Sequence, residues 1–129
     1  MDSGGNVGFA AGVNIALDAL ADLGSTADVL LLNPDARVDP HSVRAMSAVM
    51  RSSTHLAAVG AEQVRPSTGE PVRVWWPFPT PLGAWIEAIG LGSLRRSKGF
   101  AIGSVLLLRR EAIDRIGRLD DRFFLYAEE

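Results

Sequence analysis

Two positions beyond a continuous apolar run stands a carboxylate, and that pairing is the most pointed chemistry in this sequence. Val29-Leu30-Leu31-Leu32 passes directly into Asn33-Pro34-Asp35. Four apolar residues without polar alternation read as a strand buried on both faces, and Pro34 stops it. In open α/β sheets ligands gather beyond the carboxyl ends of strands, so Asn33 and Asp35 stand where a substrate or a metal-bound phosphate would sit. Asp35 is a hard oxygen donor suited to a divalent cation, Mg²⁺ or Mn²⁺. An Asx-turn that leads the chain off the strand accounts for the same residues.

Other candidate residues are more scattered. Ser3-Gly4-Gly5-Asn6-Val7-Gly8 precedes a helix, and glycines there, Gly8 in particular, let backbone N–H groups approach a phosphate. No lysine accompanies them, which argues against a phosphate-loop nucleotidase; an ordinary loop is the competing reading. Asn14 lowers helix propensity unless its side chain has a task, such as bridging to a neighbouring loop. Gly103 and Ser104 are small enough for a ligand or another backbone to come close. Glu128 and Glu129 repel each other, which raises one pKa in a dry site. The basic stretch Ser93 to Lys98 is either a solvated face or an anion contact.

Composition narrows the classes. A chain of 129 residues with 47% hydrophobic and 22% charged residues is one folded domain, spanning 1–129. Net charge −2 gives no electrostatic reason to expect nucleic acid. Cysteine is absent and the only histidines are His41 and His55, so any metal must be held by oxygens. No apolar run approaches the roughly 18 residues that span a bilayer, and the first residues lack a signal-peptide pattern, so a cytoplasmic location is expected.

The elements that must position these residues follow from periodicity. Phe9, Val13, Ala16, Leu17, Leu20 and Leu23 keep helical spacing, and Gly24 ends that helix. After the Val29 strand, Asp39 and Pro40 open a second helix as N-cap and first residue, with Val43, Met46 and Val49 or Met50 facing the core. Ala57 to Ala61 is a short strand. Gln63 to Pro66 and Pro71 to Trp75 flank Ser67-Thr68-Gly69-Glu70 as an antiparallel hairpin. The prolines after Trp76 exclude regular structure until a short helix from Leu82 to Ile89. Val105 to Leu108 is a further buried strand, followed by a helix from Glu111 to Ile116 that Gly117 closes. Alternating helices and strands predict an α/β fold with a mostly parallel sheet flanked by helices and a β-hairpin excursion.

Four segments in order resemble successive motifs of the family 2 glycosyltransferases with a GT-A fold, in particular a rhamnosyltransferase-like branch. They are Asn6 to Asn14, Leu31 to Ala36, Gly103-Ser104 with Leu107 to Ala112, and Phe123 to Glu129. The resemblance implies a partial GT-A domain and inverting hexosyl or rhamnosyl transfer in bacterial polysaccharide or cell-wall synthesis. The donor would be a nucleotide-diphospho-sugar and the acceptor a saccharide or a lipid-linked hydroxyl. It assigns Asp35 to a divalent cation on the diphosphate, with Asn33, Asn14 and Gly8 on the donor. Glu129 becomes the general base, with Glu128 beside it. Gly103, Ser104 and Trp76 fall in the acceptor region.

The departures matter too. Val13 stands where many members carry arginine, Glu129 where the second acid is usually aspartate, and the βαβαβ half that normally opens such a domain is expected before Met1. A lipid-linked acceptor would bring the protein to the inner face of a membrane. The competing reading is a non-catalytic α/β remnant that binds nucleotides weakly or self-associates as a homodimer through an exposed sheet edge.

Overall fold

A computed structural model describes residues 4–77, 99–101 and 104–122. The chain divides into two compact units, Met1–Ala61 with Gly103–Glu129, and Glu62–Ile102.

The first unit begins with α1 (Phe9–Asp22). Gly8 stands at its N-cap with φ 86°, a left-handed conformation that glycine adopts without strain. At the other end the Gly24 N–H donates to the Ala21 carbonyl and the Ser25 N–H to the Leu20 carbonyl. With Gly24 at φ 65°, this is a Schellman ending, as its position in the sequence predicts. Ala10 and Leu17 are the buried residues of α1. Ala16 and Leu23, expected on the inner face, are exposed instead. Leu23 lies past the last helical turn, where helical spacing no longer dictates its direction.

β1 (Val29–Leu32) leads through the Asn33 turn into α2 (Pro40–Ser52). The Asp39 carboxylate accepts from the His41 N–H at 2.8 Å and the Ser42 N–H at 3.0 Å, satisfying two donors that a helix start leaves open. Met46 and Met50 are buried and Val49 is 49% exposed, so α2 faces inward as its spacing predicts. β2 (Ala58–Gly60) follows.

In the second unit β3 (Gln63–Val64) and β4 (Pro71–Val72) form the expected hairpin, pairing Gln63 with Val72 and Val64 with Pro71. Gly69 turns it at φ 70°. β5 (Trp75–Pro77) pairs antiparallel with β6 (Gly99–Ala101), which corrects the expectation that the prolines keep Trp76 and Pro77 out of regular structure: a proline is tolerated at the end of a two-stranded ladder, where its missing N–H costs no inner bond. The expected helix at Leu82 to Ile89 and the basic stretch Ser93 to Lys98 lie outside the described residues.

The chain returns to the first unit as β7 (Val105–Leu108), which runs into α3 (Arg110–Ile116), closed at Gly117 with φ 97°. β7 lies between β1 and β2 and is antiparallel to both. This corrects the expected mostly parallel sheet. β1 and β2 do run in the same direction with α2 between them, as alternation implies, but they are not neighbours. Apolar runs carry no information about strand direction; nor is β1 buried on both faces as expected, since Leu31 alone is buried in it and Leu32 is 45% exposed, whereas Val105 to Leu107 of β7 are all buried. On one face Leu30, Val59, Val105 and Leu107 pack with Met46 and Met50, joined by Ala36, Val38 and Leu56. That cluster is the core on the α2 side of the sheet, Ala10, Leu17, Leu31, Leu106 and Ile113 being buried outside it, and it anchors both sides of the turn that carries Asp35.

Candidate functional site

Asn33, Pro34, Asp35 and Ala36 form a β-turn closed by the Ala36 N–H donating to the Asn33 carbonyl at 3.0 Å. Proline at the second position suits such a turn because its φ is already set. Ala36 and Val38 pack into the α2 core, so the turn is held from its far side as well as by the strand. Asp35 is exposed, and among the described residues its carboxylate has no hydrogen-bond or ion-pair partner. The turn is therefore a backbone turn rather than an Asx-turn, and the carboxylate is left for solvent or a ligand.

The same end of the sheet brings in Ser104. The Asn33 N–H donates to the Ser104 carbonyl at 3.0 Å, continuing the β1–β7 ladder by one pair. Two residues that lie 71 apart in the chain, one expected at the donor and one at the acceptor, are thus neighbours at the carboxyl end of β1. Both are half-buried. Trp76 belongs to β5 of the other unit, opposite Phe100. Gly103, Glu128 and Glu129 lie outside the described residues, as does the aromatic segment from Phe123.

Asn14 has a specific task. Its Nδ2 donates to the Leu119 carbonyl at 2.9 Å and its Oδ1 accepts from the Leu119 N–H at 3.0 Å. One turn later Asp18 accepts from the Arg118 guanidinium, with 2.7 Å from Nε. The face of α1 bearing Asn14 and Asp18 therefore grips the chain where it leaves α3. This is the bridge to a neighbouring segment that an amide inside a helix suggests, and both functional groups of the Asn14 amide are used in it. Gly8 closes the other end of the helix: its N–H donates to Asn6 Oδ1 at 3.2 Å, and its carbonyl accepts from the Gly12 N–H at 3.1 Å.

Beyond Leu119, Asp120 and Arg122 form a fork, with Arg122 Nη2 2.6 Å from Asp120 Oδ2 and Nε 2.9 Å from Oδ1. Hydrogen bonds from Arg122 hold the Asp120 carboxyl down at about 2. The guanidinium is raised in turn by the same bonds.

Arg109 was not singled out by the sequence. Its Nε donates to the Leu56 carbonyl at 2.6 Å, and Nη2 donates to the carbonyls of Ser53 at 2.8 Å and of Met50. A guanidinium fixed at the end of β7 thereby satisfies carbonyls that the end of α2 leaves open. Asp28 does the reciprocal service for α3, accepting from the Arg110 N–H at 3.0 Å. These clamps tie both helices to the central strand, and through it to the Asn33 turn.

On the sheet face away from α2 lies an apolar hollow of about 350 Å³, lined by Leu31, Leu106, Leu108, Ile113, Ile116 and Leu119 among others, with Arg118 and Asp120 also at its wall. Asp35 does not line it. Such a lining suits hydrocarbon, not a diphosphate, whereas the turn presents an exposed carboxylate. Among the described residues no three His, Asp or Glu side chains gather as a metal cage. A single carboxylate fits a small divalent cation whose remaining ligands are diphosphate oxygens and water.

Comparison with known proteins bears on this arrangement. The chain is 29% identical over its whole length to a low-salt glycan biosynthesis hexosyltransferase, Agl10, of Haloferax volcanii, covering 43% of that protein. It is 28% identical, again over its whole length, to an N-acetylglucosaminyl-diphospho-decaprenol L-rhamnosyltransferase of Mycobacterium tuberculosis, covering 50% of it. Both relatives are named as sugar transferases. The chain spans about half the length of the relatives it matches. No family model matches it, and no solved structure does.

Proposed function

We propose that this chain carries part of a glycosyltransferase that moves a hexosyl or rhamnosyl unit from a nucleotide-diphospho-sugar to an acceptor hydroxyl in glycan or cell-wall synthesis. The observation that carries this reading is the exposed, unpartnered Asp35 on a Pro-fixed turn at the end of β1, a turn whose first residue, Asn33, bonds to Ser104. Alignment of the whole chain with about half of each of two proteins named as sugar transferases supports it.

In this reading Asp35 holds a divalent cation, Mg²⁺ or Mn²⁺, against the donor diphosphate, while Asn33 contacts the nucleoside part. When bound, the cation supplies Lewis-acid stabilisation of the charge that develops on the departing diphosphate. Glu129, with Glu128 beside it, takes the acceptor proton as the hydroxyl oxygen attacks the anomeric carbon in line, and the carbon–oxygen bond to the diphosphate breaks with inversion. Gly8 opens α1 on the donor side, its own N–H being engaged by Asn6 Oδ1. Ser104 and Gly103 belong to the acceptor side, which takes a saccharide or a lipid-linked hydroxyl. The proposed setting is cytoplasmic, at the inner face of a membrane where the acceptor is lipid-linked; among the described residues no helix is long and apolar enough to cross one.

The test is thermal unfolding with uridine or thymidine diphosphate and Mn²⁺. A ligand at a hundred times its Kd stabilises the native state by about 2.7 kcal/mol, which shifts Tm by several degrees. The shift is expected in the wild-type chain, lost when EDTA is added and lost in Asp35→Ala. Equal protection of the Asp35→Ala chain would remove Asp35 from the site.

A further inference from the structure

Asn14 and Asp18 stand one turn apart on α1 and share a face, and their partners Leu119 and Arg118 are neighbours in the chain. The Asn14 amide bonds both the N–H and the carbonyl of Leu119, at 3.0 and 2.9 Å. Two bonds to one residue set its orientation as well as its distance, as a bonded pair does in an antiparallel ladder. The Arg118 guanidinium, with Nε 2.7 Å from Asp18 Oδ1, adds a second attachment one residue earlier. A single attachment would let the chain pivot; two on adjacent residues fix its direction. Just before them Gly117, at φ 97°, ends α3 with its N–H on the Ile113 carbonyl at 2.8 Å. The Asp120–Arg122 fork joins residues only two apart and adds nothing to this hold on α1. In the sequence Glu128 and Glu129 follow Leu119 by nine and ten residues.

The helix that makes this hold is also the one that opens at Gly8. Asn14 follows Gly8 by six residues, about 9 Å of axial rise along a rigid helix. We propose that Asn14, supported by Asp18, is a positioning residue for the transfer reaction: through Leu119 it sets the segment bearing Glu128 and Glu129 in register with the donor-side start of α1. The role rests on the sugar-transfer reading above, in which Glu129 takes the acceptor proton. Asn14 itself touches no reacting atom in it. Its effect is on the number of placements open to the acid pair. Without the amide, the two bonds that orient Leu119 are gone, and the ten residues beyond it spread their carboxylates over a wider set of positions. The exposed Asp18–Arg118 pair holds little by itself, so the half-buried amide carries most of the task.

The test follows Mn²⁺ broadening of backbone amide NMR signals with uridine or thymidine diphosphate present. In the wild-type chain a cation at Asp35 should broaden Glu128 and Glu129 as well as Asn33 and Ser104. Asn14→Ala should cut the broadening of the two glutamates severalfold more than that of the Asn33 turn. Asp18→Ala should act in the same direction more weakly, with the turn unchanged. Asn14→Asp keeps an acceptor for the Leu119 N–H and loses the donor to its carbonyl, so it should fall between wild type and Asn14→Ala. If Asn14→Ala does not fold, Asp18→Ala, a change at an exposed residue, decides alone. Glutamates broadened equally in all these chains, or weakened only in step with the turn, would overturn the positioning role and leave the sugar-transfer reading standing. So would a wild-type chain whose turn broadens and whose glutamates do not. A wild-type chain with no broadening at the turn would overturn that reading and the role with it. Glutamates still broadened in Asp35→Ala would mark a separate cation site and overturn the role as well.

Discussion

Asp35 and Asn14 are both polar residues beside apolar runs, and the structure gives them opposite lives. Asn14 spends both halves of its amide on Leu119, so truncating it leaves a backbone N–H and a carbonyl without partners. Asn14→Ala should cost about 2 kcal/mol in urea unfolding, whereas Asp35→Ala, which removes an exposed and unbonded carboxylate, should leave the midpoint within experimental error. Asp120 supplies a pH prediction. Its folded pKa of about 2 lies below the ordinary 3.8, so whatever it contributes to stability is present above about pH 4 and is lost as pH falls toward 2. A carbon-detected NMR titration should find its midpoint near 2, and Arg122→Ala should return it toward the ordinary value.

At the scale of elements, the described helices are set by their ends. Asp39→Ala removes the carboxylate that accepts from His41 and Ser42, and should lower Tm, while Asp39→Ser should recover much of the loss. The lowered pKa of Asp39, due first to its bond from Ser42, gives the same sign of pH dependence as Asp120: its help fades as pH falls below the ordinary carboxylate range. Arg109→Met should be harsher, about 3 kcal/mol by thermal or urea unfolding, because carbonyls of Met50, Ser53 and Leu56 lose a charged donor together. The two cases also show where sequence reasoning reaches. Asp39-Pro40, Gly24 and the Ser67 to Glu70 turn are legible because cap and turn chemistry involves residues a few positions apart. Arg109 reaches partners more than 50 residues away, and Asn14 one 105 residues away; local spacing encodes neither pairing.

For the whole molecule, the strands of the three-stranded sheet were readable and their order was not, while β5 and β6 were not read as strands at all. Val29–Leu32 and Val105–Leu108 announce themselves by composition, yet that β7 enters between β1 and β2 and against both is a matter of chain path. The candidate site shows the same division: the Asn33 turn was visible as a strand followed by proline, but its neighbour Ser104 arrives only through the antiparallel register. Placed together, they support a donor-diphosphate site at the carboxyl end of β1, anchored by the α2 core behind it. The most direct measurement is paramagnetic broadening of backbone amide NMR signals by Mn²⁺ in the presence of uridine or thymidine diphosphate. Selective broadening is expected at Asn33, Asp35, Ala36 and Ser104, abolished by Asp35→Ala. Broadening centred elsewhere on the chain, or unchanged in the Asp35→Ala variant, would contradict it.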